Sequence, residues 1–258
     1  VGDFRQRKQQ GILTDNERRS YVATAMDRQE ESDMTDSEVA QLSTLLMLGS
    51  VDTTSGILAW NLVHLALNPD IQDMLYEELS SAVAQEGSLT ENMLIGPTTT
   101  AVLLHSFVRE THRLSPAVFI NIVKEIQSET LNLHGMDFQK GTVVAFDSYN
   151  PCMNPDLVEQ PQEFRIDRWQ PDAVQARVGT KQEIIDHPFF AQPFSQGPRR
   201  CPGSRVANLE TVSFLSQFLL HWKITFPTHI QDLSDIDTIL ETARMPVWPV
   251  GMSCERRS

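Results

Sequence analysis

Cysteine is scarce. The 258-residue chain has three, Cys152, Cys201 and Cys254. Their number and wide spacing exclude a disulfide framework, and without a Cys-x-x-Cys pair a structural zinc site has no ligand set. Positive charge is also short: 21 Lys and Arg stand against 34 Asp and Glu, for a net charge of −13. The basic clusters present, such as Arg18-Arg19 and Arg256-Arg257, are small and scattered, which argues against a nucleic-acid partner. There is no internal repeat and no long low-complexity linker. The opening VGDFRQRKQQ reads as neither a signal peptide nor a membrane span. It starts at Val1, so the expectation is a processed chain or one cut from something longer.

What is present is apolar and helical in period. With 40% hydrophobic and 21% charged residues, the chain has material for a sizeable core. Residues 1–34 read as a polar lead-in, with RQEESDMTDSE as a solvated stretch. Thr35-Asp36-Ser37-Glu38 has the capping-box pattern, hydroxyl and carboxylate answering each other's backbone N–H groups. The helix it starts is expected over about 36–67, roughly 45–50 Å long. Because it is apolar on most sides, burial along its length is expected. Gly49, Ser50, Asp52, Thr53 and Thr54 break that apolar character at mid-span.

A second helix is expected from Asn68-Pro69 to the stop at Gly87, and a third over about 99–114, ending before Ser115-Pro116. The period then changes. Residues 129–135 and 141–146 read as short strands joined by a turn. Residues 150–201 look mostly irregular. Pro202 is expected to open a last long helix, and the tail over 247–252 suits a hairpin. The fold class is mainly α with a small, segregated β-sheet.

One stretch of the irregular segment carries chemistry: FSQGPRRCPGSR, residues 194–205. Cys201 precedes a helix, whose N-terminal N–H groups and dipole favour thiolate. Gly197 permits a positive φ, and Gly197 and Gly203 let backbone approach a flat ligand. Arg199 extends toward an anionic group beside the cysteine. A thiolate on such a loop meets the needs of an axial ligand to haem iron. A buried structural cysteine before an ordinary helix is the other reading.

The ten residues from Phe194 to Gly203 match, at every fixed position, the F-x-x-G-x-R-x-C-x-G haem-binding loop of the cytochrome P-450 (haem-thiolate monooxygenase) family. Three further segments resemble that family in its order. Glu110-Thr-His-Arg113 resembles its E-x-x-R motif, and Phe164-Arg-Ile-Asp-Arg168-Trp169 resembles the segment whose arginine joins it. Ile166 stands where the family usually has proline. Gly49-Ser50-Val51-Asp52-Thr53-Thr54 resembles the oxygen-activation segment, with Ser50 where glycine is preferred. About seven residues beyond Pro116, where the family carries a propionate-binding arginine, the chain has Val123, with Lys124 one place on. His105 and His112 read as packing or surface histidines rather than ligands.

The resemblance covers roughly residues 30–258 and implies the C-terminal portion of the cytochrome P-450 fold, as a single partial domain. It implies haem b as cofactor and dioxygen as co-substrate. Cys201 would ligate the iron; Phe194, Gly197, Arg199 and Gly203 would form the haem contact; Asp52 and Thr53 would deliver protons as acid and alcohol. Glu110, Arg113 and Arg168 would form a buried network holding the coil beneath the haem. The implied activity is hydroxylation of an apolar small molecule, with electrons from a ferredoxin or a flavoprotein reductase. Arg199, Arg200 and Arg205 are candidates for meeting that partner. The look is closest to eukaryotic mitochondrial-type members, which implies a mitochondrial or endoplasmic-reticulum membrane, reached through a missing N-terminal part. The alternative is a non-catalytic truncated paralogue, a helical scaffold or interaction module without stable haem.

Overall fold

In a computed structural model the residues described are 2–30, 34–96, 99–118, 120–188, 190–191, 193–227, 229–240, 243–247 and 251–257. They form two compact units, residues 1–52 and 53–258. Helix α4, Asp36–Leu67, contributes its first part to one unit and its remainder to the other.

The first unit is more helical than a polar lead-in would be. It holds α1 (Gly2–Gln9), α2 (Asp15–Arg18) and α3 (Tyr21–Glu30) ahead of the start of α4. Ion pairs join these polar segments. Arg5 Nη2 lies 2.7 Å from Asp36, Arg7 Nη1 lies 2.8 Å from Glu17, and Lys8 pairs with Asp27. Leu13, Ala23, Met26 and Val39 supply its buried apolar contacts. The capping box opens α4: Thr35 N–H donates to Glu38 Oε2 at 2.7 Å, and Glu38 N–H to Thr35 Oγ1 at 3.3 Å.

Burial along α4 departs from the sequence expectation. Leu45 and Met47 are 65% and 70% exposed, and Leu42, Leu46, Leu48 and Val51 are exposed with them. From Ile57 onward Trp60, Val63 and Leu65 are buried. An all-round apolar helix requires cover on every side, and only the second half of α4 receives it.

The second unit is built on α5 (Pro69–Glu86), α6 (Glu91–Leu94), α7 (Val102–Leu114) and α9 (Ser204–His221), with α8 (Pro171–Arg177) on the connecting coil. Pro69 at the first position and left-handed Gly87 at the cap (φ 82°) bound α5, as their backbone preferences require. Leu75, Leu79, Leu104, Phe107, Leu215 and Leu219 interlock in the main core. Helix α7 starts three residues later than expected. Thr99 is turned to Met93 O (2.6 Å), and the first amides of α7 are capped from α5: Glu78 accepts from Leu103 N–H at 2.7 Å and Leu104 N–H at 3.1 Å. Burial pushes the Glu78 carboxyl above its ordinary value.

Among the described residues the strands form two-stranded antiparallel ribbons rather than one sheet. β1 (Ile120–Glu125) pairs with β4 (Val143–Asp147), and β2 (Thr130–Leu133) with β3 (Met136–Gln139). The two strands expected to pair with each other therefore pair with other partners. The turn at His134-Gly135, with φ of 51° and 85°, has the two positive φ values that a tight hairpin favours, and it closes β2 on β3. β5 (Trp222–Thr225) pairs with β8 (Ser253–Arg256), and β6 (Thr238–Leu240) with β7 (Arg244–Pro246). The tip of the hairpin expected over 247–252 falls on 248–250, outside the described residues.

The coil after β4 has a core of its own. Cys152, Val158, Trp169, Ile185 and Phe190 are buried together, around short 3-10 helices at Asn150–Met153, Asp167–Trp169 and Lys181–Asp186.

Candidate functional site

The first part of the site is a charge cluster with no route to water. Glu110 and Arg113 lie one turn apart on α7, and both side chains have 0% exposure. Arg113 Nη2 donates to Glu110 Oε1 at 2.7 Å and Nε to Oε2 at 2.9 Å. Its remaining donors reach coil carbonyls, Nη1 to Pro161 at 2.7 Å and Cys152 at 3.0 Å, and Nη2 to Glu163 at 3.0 Å. Arg168 Nε approaches Glu110 Oε1 at 3.4 Å while Nη1 donates to Glu159 O at 2.7 Å. Two buried guanidinium groups thus share one carboxylate, and the carbonyl dipoles offset the excess positive charge. Burial draws Arg168 below its ordinary pKa, and Glu110 opposes that shift.

Two donors to Glu110 were not foreseen. Trp169 Nε1 donates to Oε2 at 2.8 Å, and Arg165 N–H to Oε1 at 3.0 Å. The Trp169 ring is covered by the Arg109 guanidinium at 3.9 Å, a cation–π contact. Arg177 ties Asp186 into the same corner at 2.8 Å. The signal was the tryptophan directly after Arg168. Ile166 keeps the turn that proline would make: its φ is −75°, within proline's range. Its carbonyl accepts from Trp169 N–H at 3.2 Å, and its side chain is buried in the main core.

His64 anchors α4 to the same region. Its Nε2 meets Ser115 Oγ at 3.0 Å, and its ring stacks on Phe164 at 4.3 Å. Burial, reinforced by Arg113 and Arg244, brings its pKa down to about 3, so the imidazole is neutral at physiological pH.

The second part is the cysteine loop. Cys201 N–H donates to Phe194 O at 2.9 Å, closing the loop, and Arg200 N–H donates to Gly197 O at 3.0 Å. Gly197 has φ 77°, a left-handed conformation that costs a side-chain-bearing residue roughly 1–2 kcal/mol. The Cys201 thiol is free and exposed, and Gly197, Arg199 and Arg200 are exposed beside it. Helix α9 begins at Ser204 with Gly203 as its cap, so Pro202 does not open it. A Cβ on Gly203 would stand 3.8 Å from Cys201 Sγ.

A small open depression lies where α4, α7, the cysteine loop and α9 meet in the second unit. Thr53, Thr54 and Ile57 of α4, His112 of α7, Phe194 of the loop, and Ala207 and Thr211 of α9 form its wall with Pro116 and Ala117. It brings together Thr53 and Phe194 of the residues singled out in the sequence. Cys201, Arg199, Gly197 and Gly203 lie on the adjoining loop, and Asp52 belongs to the first unit. Thr211 was not foreseen. Helix α4 runs unbroken through Gly49-Ser50, and the Ser50 hydroxyl donates to Met47 O at 2.9 Å. Val123 and Lys124 sit in register on β1 opposite Ala145 and Val144, and both are exposed.

The family model for cytochrome P450 matches residues 3–246. The chain belongs to the cytochrome P450 family. It is 31% identical to mitochondrial sterol 26-hydroxylase of Rattus norvegicus over 76% of this chain and 35% of that protein. It is 30% identical to the mitochondrial cholesterol side-chain cleavage enzyme of Sus scrofa, over 80% of this chain and 36% of the other. Cytochrome P450 4c21 of Blattella germanica is 29% identical over 92% and 44%. The chain thus spans between about a third and less than half of the length of these curated relatives.

The residues of this cytochrome P450 chain fit the family's haem. The candidate donor, Cys201, is a free, exposed thiol, and among the described residues no His, Cys, Asp or Glu cluster competes for a metal. Beside it the depression offers mostly apolar walls with a few hydroxyls, the lining that a flat apolar ligand favours. Cys152 is the contrasting case: burial pushes its thiol up to about 12.

Proposed function

We propose that this chain carries the haem-binding and oxygen-activating portion of a haem-thiolate monooxygenase that hydroxylates an apolar organic substrate. The observation that carries the reading is the cysteine loop, closed by the Cys201–Phe194 bond over left-handed Gly197, beside a depression walled by Thr53 and Phe194. Bound haem would supply dioxygen activation, with the thiolate ligand adding electron density.

Each residue has a task in that reading. Cys201 would hold the iron through its sulfur. Gly203 keeps bulk away from the sulfur, since a Cβ there would stand 3.8 Å from it, Gly197 supplies the left-handed turn of the loop, and Phe194 closes the loop through its carbonyl. Arg199 adds positive charge beside the loop and pairs with an anionic edge of the cofactor. Thr53 offers a hydroxyl in the wall of the depression, where Oγ1 would hold and pass a proton, and Asp52, the preceding residue in the sequence, is the acid that the family resemblance pairs with it. Glu110, Arg113 and Arg168 keep the coil folded beneath. Two of the relatives carry a sterol or cholesterol and the mitochondrion in their names, which supports a sterol-like apolar substrate and a mitochondrial setting; a ferredoxin or flavoprotein reductase would be the electron source.

The test is a ferrous–CO spectrum of the haemin-reconstituted 258-residue chain. A thiolate-type red-shifted Soret band is expected, and Cys201→Ser should abolish it while leaving the chain folded. A wild-type chain that takes up haem without that shift sinks the proposal.

A further inference from the structure

Among the described wall residues of the depression, His112 is the one titratable side chain, and the haem-thiolate reading gives it no task. It sits on α7 between Glu110 and Arg113, but the helical turn of about 100° per residue points it away from Glu110. Its ring meets the Phe194 ring edge-on, with centroids 5.9 Å apart and planes at 67°, a favoured aromatic geometry. Phe194 is the residue whose carbonyl receives the Cys201 N–H. A continuous line of contacts therefore runs from the buried Glu110–Arg113 pair along α7, through His112 and the Phe194 ring, to the amide of Cys201.

We propose that His112 is a positioning residue for the Cys201 loop, acting through the ring of Phe194. The inference rests on the haem-thiolate reading for its purpose, though not for its geometry. The network fixes α7, and α7 carries the imidazole to the one aromatic residue of the loop. The loop otherwise has little cover, since Cys201 and the residues from Gly197 to Pro202 are exposed. Loss of water around the ring lowers the His112 pKa to about 4, so a neutral ring meets Phe194.

The experiment is amide hydrogen exchange of the haem-free chain, comparing Cys201 N–H with buried amides of α9 such as Val212, in His112→Ala and His112→Phe. Local opening sets the exchange rate, and an aromatic pair is worth a factor of roughly 2–10. His112→Ala should speed exchange at Cys201 by that factor while α9 stays unchanged, and His112→Phe should restore the slow rate. No change at Cys201 in His112→Ala overturns the proposal. So does equal acceleration in α9, which would mark a general loss of structure, and so does a His112→Phe chain that exchanges as fast as His112→Ala. A wild-type chain lacking the thiolate-type CO band would refute the haem reading separately and leave the exchange result standing.

Discussion

Glu110 accepts bonds from Arg113, Arg165, Arg168 and Trp169 and has no exposed surface. Cys201, by contrast, ties its amide to Phe194 at 2.9 Å and leaves its thiol in the open. Both belong to the same unit. The carboxylate is held so fully that it can act only on the fold. The thiol is held by its backbone and left free for a ligand. Rigid support and reactive exposure are thus separated, and α7 lies between them with Glu110 and Arg113 turned to the coil and His112 turned to the loop.

The largest break in that contrast should come from Glu110→Gln. It leaves the Arg113 and Arg168 guanidinium groups buried without a counter-charge, for an expected loss of ~3–5 kcal/mol. In chemical unfolding, Cys201→Ser should stay within about 0.5 kcal/mol, as befits an exposed site. Equal losses for the two variants would overturn the comparison.

Acid is the next probe. His64 and His112 have folded pKa values of about 3 and about 4, below an ordinary value of 6.5, chiefly through burial. For a base with a depressed folded pKa, the unfolded chain binds the proton first. Their effect is therefore absent above pH 6.5 and grows as pH falls toward 4. There His64 should cost on the order of 3 kcal/mol. His64→Gln should flatten the unfolding free energy against pH between 6.5 and 4; an unchanged slope would remove His64 as the cause.

A smaller effect than that of Glu110→Gln or of acid is expected at Gly197→Ala. With φ at 77° and no atom within 4 Å of an added Cβ, the cost is backbone strain alone, about 1 kcal/mol. Melting should shift little while haemin retention on gel filtration falls. Normal retention would show that the loop adopts its ligand-binding shape without the left-handed turn.

The local features were legible from sequence because their causes are local. Thr35 and Glu38 cap α4 across three residues, Pro69 and Gly87 bound α5, and Glu110 and Arg113 share a face by helical period alone. The spacing from Phe194 to Gly203 marked the cysteine loop for the same reason. Features that depend on distant partners were not legible. Glu78 caps α7 across 25 residues, and Trp169 reaches Glu110 across 59. The expected 129–146 hairpin became halves of two ribbons, because a strand pattern states which residues alternate and not which strand lies beside them.

Sequence by itself determined the family motifs, the helix boundaries set by caps and proline, and the candidate ligand Cys201. The tertiary structure decided which apolar surface of α4 is covered, which strands pair, and that the Trp169 indole and the Arg165 amide join the arginines at Glu110. The physical reason is range. Backbone preference and helical period act within a few residues, whereas burial and charge compensation depend on groups that only folding brings together.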